Sequence, residues 1–274
     1  MADGGKVVLI TGASSGIGKA CAEQLAKQGF VVFAAARSLS TETEEIAQGL
    51  RSVHMDVDDD VSVREGVDHI LRLAGRLEVV VNCAGFGIGG PIEDTSIEEA
   101  RQQFDTNFFG VFRVCKAALP TFRSQASGRI VNVSSIAGRI AVPFQGFYSA
   151  TKYAIEGLTE ALRMEVKPFG VHVSLIEPGD FRTGFTEGRQ RVGGEARGAY
   201  ADRSGRAMAR AAADEMGGSS PDRVARLLVK ILKSRNPKLR YTVGPLSQRL
   251  SAIAKPFLPP VFVEHEVMKH YEVL

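Results

Sequence analysis

The chain has 274 residues, 44% hydrophobic and 24% charged, with a formal charge of +3. That length and balance fit one large globular domain, and the basic excess is too mild for the dense cationic surface of a nucleic-acid binder. No apolar run reaches the ~20 residues that a bilayer span needs, and Cys21, Cys83 and Cys115, without CxxC spacing, give neither a disulfide framework nor a metal site.

At the start, MADGGKVVLITG enters a strand-like run with no long apolar stretch behind a basic segment. No signal peptide is expected, and free thiols fit a reducing, cytoplasmic setting. KVVLIT (6–11) predicts a strand and GIGKACAEQLAKQG (16–29) a helix closed by Gly29. VVFAAA (31–36) is the second strand, RSVHMDV (51–57) the third, and a helix follows at 60–74. LEVVVNCAG (77–85), GRIVNVSS (128–135) and VHVSLIEPG (171–179) supply three more, and a helix at 221–234 leads to a last strand near 240–243. These are near-continuous apolar runs, the pattern of parallel strands covered on both faces. Repeated βα units of this kind predict an α/β fold: a doubly wound parallel sheet of about seven strands, helices on both faces, in one domain over 1–274.

Two segments break the rhythm. Residues 182–220, rich in Gly, Ala and Arg, are expected to form a substrate lid with its arginines facing water. Residues 245–274 hold four prolines among apolar residues and read as a C-terminal extension over the pocket or a partner subunit. No basic amphipathic helix stands out there, so membrane contact is not expected.

TGASSGIG (11–18) joins the first strand to the first helix. Gly12, Gly16 and Gly18 let the backbone turn sharply and approach a pyrophosphate, and the helix start aims free N–H groups at the anion. The G-x3-G-x-G spacing departs from the commoner dinucleotide fingerprint, but its place between strand and helix argues for a nucleotide. The second strand ends FAAARS, with no carboxylate before Glu42 to hold the ribose hydroxyls of NAD. Arg37 stands where a 2′-phosphate needs a cation, which favours NADP(H), with NAD(H) as the second choice.

In FYSATKYA (147–154), Tyr148 and Lys152 share a helix face, although Lys152 with Glu156 also reads as an ordinary surface ion pair. TGASSGIG, NCAG (82–85) and YSATK (148–152), in this order, resemble the short-chain dehydrogenase/reductases over residues 6 to about 243. The resemblance implies a single Rossmann-type domain and a catalytic set of Asn107, Ser135, Tyr148 and Lys152. It also implies that Gly12, Ser14, Ser15, Gly16, Ile17 and Gly18 hold the cofactor phosphates, with Arg37 beside them. Asp56 and Val57 would meet adenine, and Asn82, Ala84 and Gly85 would support the adenine side and the sheet. Pro178, Gly179 and Thr183 would flank nicotinamide, which Tyr148 and Lys152 also touch. Many NADP-using relatives carry a second basic residue inside the glycine loop; Ser15 stands there, so NADP rests mainly on Arg37.

A free tyrosine titrates near about 10. Lys152 and a nearby nicotinium are expected to lower that value, so that Tyr148 exchanges a proton with an alcohol or carbonyl while Ser135 holds the oxygen. Asn107 is expected to steady Lys152. Apolar rim segments at 85–92, 137–147 and after Gly179 favour a bulky apolar secondary alcohol or ketone, steroid-, retinoid- or lipid-like, over a sugar. A 3-oxoacyl-type ketoreductase and a catalytically silent NADP-binding regulator are the alternatives. A homodimer or homotetramer, paired through helices around 107–126 and 148–168, follows from the resemblance alone.

Overall fold

The computed structural model describes residues 5–40, 43–192 and 198–274; Glu42 and residues 193–197 of the expected lid lie outside the described residues. Strand β1 (Val7–Thr11) feeds α1 (Gly16–Lys27) and β2 (Val31–Ala36), then β3 (Glu45–Ala47), β4 (Leu50–His54), α2 (Asp60–Ala74) and β5 (Val79–Asn82). A short β6 (Ile88–Gly89) precedes α3 (Ile97–Phe104), which runs through a π-turn at Asp105–Phe109 into α4 (Gly110–Ser124) and β7 (Gly128–Val133). After α5 (Gly146–Val166) and β8 (Val171–Pro178) come β9 (Gln190–Arg191), α6 (Ala201–Met216), α7 (Asp222–Lys233) and β10 (Arg240–Val243). Helices α8 (Leu246–Ala254) and α9 (Pro260–His270) end the chain.

The main sheet has eight strands in the order β10-β8-β7-β5-β1-β2-β4-β3, all parallel except β3, which runs antiparallel to β4. The sequence suggests seven. The additional strand is a three-residue edge with no buried side chain, so it carries no hydrophobic signal. The third strand expected at 51–57 is β4, which ends at His54 before the chain turns toward α2.

Every residue of β1 and β5 is buried, because helices cover both faces of the sheet. One apolar layer, with Phe33, Ile70, Phe122, Ile130 and Ile155, packs the sheet against α2, α4 and α5. The other, with Ile10, Leu25, Ile176 and Leu228, packs it against α1 and α7. Local chemistry sets the helix limits: Asp59 accepts from the Val61 and Ser62 N–H groups to start α2, and Gly75 ends it at φ +71°.

The chain builds β1, β2 and β4 on one side, then returns to build β5, β7, β8 and β10 on the other. The reversal lies between β1 and β5, and the crevice beyond the carboxyl ends of such strands is where open α/β sheets bind ligands.

Candidate active site

The glycine turn after β1 leaves no room for a side chain at two positions. Gly12 holds φ +64°, and a Cβ there would lie 2.7 Å from the Ala84 Cα; a Cβ on Gly18 would lie 2.3 Å from the Gly12 carbonyl oxygen. Thr11 Oγ1 accepts from the Cys83 and Ala84 N–H groups at 3.1 and 3.3 Å, tying this turn to the end of β5. Ser15 precedes α1 without capping it through its side chain. The result is a bare backbone cradle at a helix N-terminus, the shape a pyrophosphate requires.

The cradle opens into a cavity of about 1270 Å³ over the carboxyl ends of β1, β2, β4, β5, β7 and β8. Gly12, Ser14, Ser15, Gly16, Ile17 and Gly18 line its first wall. Arg37 and Ser38 come from the end of β2, and Asp56, Val57 and Asp58 from beyond β4. Arg37 is exposed, as a cation that meets a phosphate at the rim must be. Asp56 spends one carboxylate oxygen on the Asp58 N–H at 3.0 Å, and Asp58 accepts from the Thr106 hydroxyl at 2.8 Å. Burial pushes the Asp58 carboxyl above its ordinary range.

Ala84 and Gly85 continue the wall, and Pro178, Gly179 and Thr183 close it opposite. Ser135, Tyr148 and Lys152 line the same cavity. Ser135 follows β7; its Oγ accepts from the Ala137 N–H at 3.0 Å and donates toward the Pro178 carbonyl at 3.5 Å, on the same cavity wall as the Tyr148 phenol. Tyr148 sits in the first turn of α5, and its ring lies 5.5 Å from that of Phe185. Lys152 is buried one turn on and donates to the Val133 carbonyl at 3.0 Å, with its Nζ 5.6 Å from the Tyr148 ring centroid.

Two expected residues stand elsewhere. Asn82 does not line the cavity: its amide donates to Asn132 Oδ1 at 2.8 Å and Asn132 donates to Thr159 at 2.9 Å, so it pins β5 to β7 and β7 to α5. Of the two roles the resemblance implies for Asn82, cofactor binding and support of the sheet, these bonds are of the second kind. Asn107 is fully buried in the π-turn, exchanging hydrogen bonds with both backbone groups of Phe86 and donating to Thr151 at 3.2 Å. A Cβ on Gly85 would meet Asn107 Oδ1 at 3.1 Å and Lys152 Nζ at 3.9 Å, so Asn107 flanks Lys152 from behind the wall. A π-turn inserts one residue into a helix and re-aims its side chains, which is how Asn107 faces inward here.

Electrostatics alter one expectation. Burial pushes the Tyr148 phenol up to about 12; the Ser135 hydrogen bond and Arg189 oppose this, while Glu215 and Asp180 add to it. Burial also lowers Lys152 to about 8, against the pull of Cys83 and Glu156. In the protein by itself, desolvation sets the direction at Tyr148, opposite to the lowering expected from Lys152 and a nearby nicotinium.

Sequence reasoning misses several groups. Asp180 lines the cavity, with Gln248 accepting from its N–H at 3.0 Å and donating to its carboxylate. Behind Lys152, Arg240 pairs with Glu156, Glu160 and Glu177, and Arg139 with Glu177. These partners lie far apart in the chain, and no spacing rule joins them. Nor do the lid arginines simply face water: Arg189 pairs with Glu215, Arg203 donates to the Val273 carbonyl, Arg206 to that of Glu272, and Arg210 pairs with Asp214. Arg189, Arg203 and Arg206 fasten α6 to the loop before it and to the C-terminus, while the Arg210 pair lies within α6.

The family described as short chain dehydrogenase matches residues 6–192. A 3-ketodihydrosphingosine reductase from Bacteroides thetaiotaomicron is 42% identical over 270 residues, covering 98% of both chains. Retinol dehydrogenase 8 from Bos taurus is 39% identical over 258 residues, covering 88% of this chain and 82% of its own. Among solved structures, a short-chain dehydrogenase from Streptomyces avermitilis superposes with TM-score 0.80 at 31% identity, over 98% of each chain. An alcohol dehydrogenase from Thermococcus sibiricus complexed with 5-hydroxy-NADP gives TM-score 0.70 at 27% identity, over 88% of this chain and 97% of that one. A Burkholderia phymatum enzyme in complex with NAD gives 0.78 at 26%, over 96% and 95%. With its fold, glycine cradle and Ser–Tyr–Lys constellation on one cavity, the chain belongs to the short-chain dehydrogenase/reductase family, oxidoreductases that act on CH–OH and ketone groups with NAD(P).

Proposed function

We propose that this enzyme interconverts a ketone and a secondary alcohol on a bulky, lipid-like molecule, using NADP(H) in preference to NAD(H). The observation that carries the proposal is the single cavity in which Ser135, Tyr148 and Lys152 meet both the glycine cradle and an apolar wall from the C-terminal helices. The bare turn at Gly12 and Gly18 fits a pyrophosphate, and Arg37 fits a 2′-phosphate. When bound, the nicotinamide supplies or accepts the hydride. Asp56 would meet the adenosine, and Thr183 and Gly179 would hold the nicotinamide end.

The protein's own groups handle the oxygen and the proton. Ser135 Oγ and the Tyr148 phenol, which line the same cavity, would both hydrogen-bond the reacting oxygen. A phenol held at about 12 is neutral near pH 7, so Tyr148 stands ready to donate a proton to a carbonyl. Lys152, near 8, sits beside it as the group through which a proton is replaced, and Asn107 holds the loop at Phe86 against that lysine.

The lipid-like class rests on two supports. Phe86, Ile140, Val142, Phe181 and Phe185 line the cavity, as do Leu250, Leu258, Phe262 and Val263 from the tail. The relative matched over nearly its whole length is named a 3-ketodihydrosphingosine reductase, which puts a long-chain ketone ahead of a steroid or retinoid. A homodimer or homotetramer paired through α4 and α5 is part of the same proposal, with Phe112 on α4 and Tyr153 on α5 exposed. The test is NADPH oxidation with a long-chain 2-amino-3-ketone, a retinal and a steroid ketone: turnover of the first with little of the others is expected, and turnover of none of them overturns the substrate class.

A further inference from the structure

Four glutamines line the catalytic cavity, and one of them differs from the rest. Gln102 and Gln190 are exposed, and Gln248 is committed to Asp180, accepting from its N–H and donating to its carboxylate. Gln145 is 5% exposed, yet its side-chain amide makes no hydrogen bond to any described residue. Its backbone is fully used: the N–H donates to the Val142 carbonyl at 3.2 Å, and the carbonyl accepts from the Ser149 N–H at 2.9 Å. Other buried amides of this fold are paired. Gln103, with no exposure, accepts from the Ile88 N–H at 2.9 Å and donates to the Phe86 carbonyl at 2.6 Å. Buried polar groups are as a rule hydrogen-bonded, so an amide without a partner needs a reason.

The place of Gln145 supplies one. It caps α5, three residues before Tyr148, and side chains three apart on a helix stand about 5–6 Å apart at Cβ. Between 140 and 148 the cavity is lined by Ile140, Val142, Gln145 and Tyr148, so the amide and the phenol are the polar side chains of that stretch. Ligand cavities are mostly apolar, with a few polar groups that fix orientation and set specificity. An apolar substrate that fills this cavity strips the amide of water. Left unpaired, the amide then costs binding energy, and that cost separates a ligand that can pair it from one that cannot. Asp180 and Glu215 line the cavity too, but Asp180 is held by Gln248, and Glu215 by Arg189 and Thr186. Both carboxylates have the partners that Gln145 lacks.

We infer that Gln145 determines specificity: its amide takes a hydroxyl or amino substituent carried one or two bonds from the carbonyl carbon, so that substituted ketones are selected over plain ones. The amide suits both groups, because Oε1 accepts from either and Nε2 donates to a hydroxyl. The inference rests on the reading of the cavity as a ketone site, and it adds what the ketone must carry. Motif spacing around Tyr148 gives no sign of it, since Gln145 is singled out only by its burial and its missing partner.

The test uses the full chain with NADPH and three ketones of equal chain length: a long-chain 2-amino-3-ketone, the 2-hydroxy-3-ketone and the plain 3-ketone. The corresponding alcohols serve as binding probes. Calorimetric titration into the NADPH-bound parent is expected to show the amino and hydroxy alcohols bound about tenfold to a hundredfold more tightly than the plain one. The kcat/KM values of the ketones should follow the same order. Gln145→Met keeps the volume and removes the amide. The preference should then collapse, with kcat/KM rising for the plain ketone as it falls for the other two. Gln145→Asn, an amide drawn back by one methylene, should retain part of it, and fluorescence titration with NADPH shows whether each variant is folded. Equal binding of the three alcohols by the parent overturns the inference. So does a preference that survives Gln145→Met, which would assign it to the carboxylates of Asp180 and Glu215. A preference in binding with no turnover of any ketone would sink the ketone reading and leave the Gln145 site standing.

Discussion

Tyr148 and Arg37 carry the sharpest consequences at the scale of single residues. Because burial raises Tyr148 to about 12, the neutral phenol persists through neutral pH, and the phenolate forms only as pH approaches that value. Reduction, which needs the donor form, is therefore expected to hold steady near neutrality and fall at alkaline pH. Oxidation of the alcohol, which needs the acceptor form, should climb toward alkaline pH. Initial rates in both directions across a pH series check this; reduction falling steadily from mildly acid pH would show the phenol titrating far lower. Arg37→Ala should raise the KM for NADPH about tenfold to a hundredfold, as loss of a charge-assisted contact does, and leave that for NADH nearly unchanged. Equal effects on both cofactors would remove the 2′-phosphate role. Arg37, Tyr148 and Lys152 were singled out by their places in short stretches of sequence and Ser135 by the family resemblance, and the fold brings the four onto one cavity. Asp58, Asp180 and Gln248 were not singled out. Gln248 reaches Asp180 across 68 positions, and only the fold makes them neighbours.

Whole elements matter because the site is assembled at their ends. Alternating apolar runs and helical stretches made the parallel core readable, since burial on both faces leaves a continuous hydrophobic signal. The exposed edge β3, the π-turn that turns Asn107 inward and the packing of α6 left no such signal. Gly18→Ala tests the cradle: its Cβ would meet the Gly12 carbonyl oxygen at 2.3 Å, a backbone atom that cannot step aside. Cofactor affinity should fall at least about tenfold, measured by fluorescence titration of NADPH, and unchanged affinity would mean that the turn does not hold the phosphates. Strand β10 is fixed by Arg240, which binds Glu156 at 2.8 Å and Glu177 at 3.3 Å, both carboxylates buried. Arg240→Met leaves those two charges short of a partner. Chemical denaturation should show a loss of about 3 kcal/mol, the cost of breaking a buried pair. A loss within a few tenths of that of a surface substitution would mean the carboxylates are solvated.

For the whole molecule, the sheet reversal between β1 and β5 places one cavity, and the C-terminal extension supplies part of its apolar wall. Sequence showed that an extension exists but not which side of it faces out. A stripe at 246, 250, 253 and 257 reads as core until the structure shows it exposed. The cavity's apolar wall is therefore a property of the assembled tail and sheet, not of any motif. The measurement that bears most directly on the central claim is NADPH oxidation by the full chain offered a long-chain 2-amino-3-ketone, run beside Tyr148→Phe. Turnover by the parent is predicted, with a fall of about a hundredfold to ten-thousandfold in the variant while NADPH binding is kept, the range set by loss of a general acid. Turnover that persists unchanged in Tyr148→Phe, or none by the parent with NADPH demonstrably bound, would contradict it.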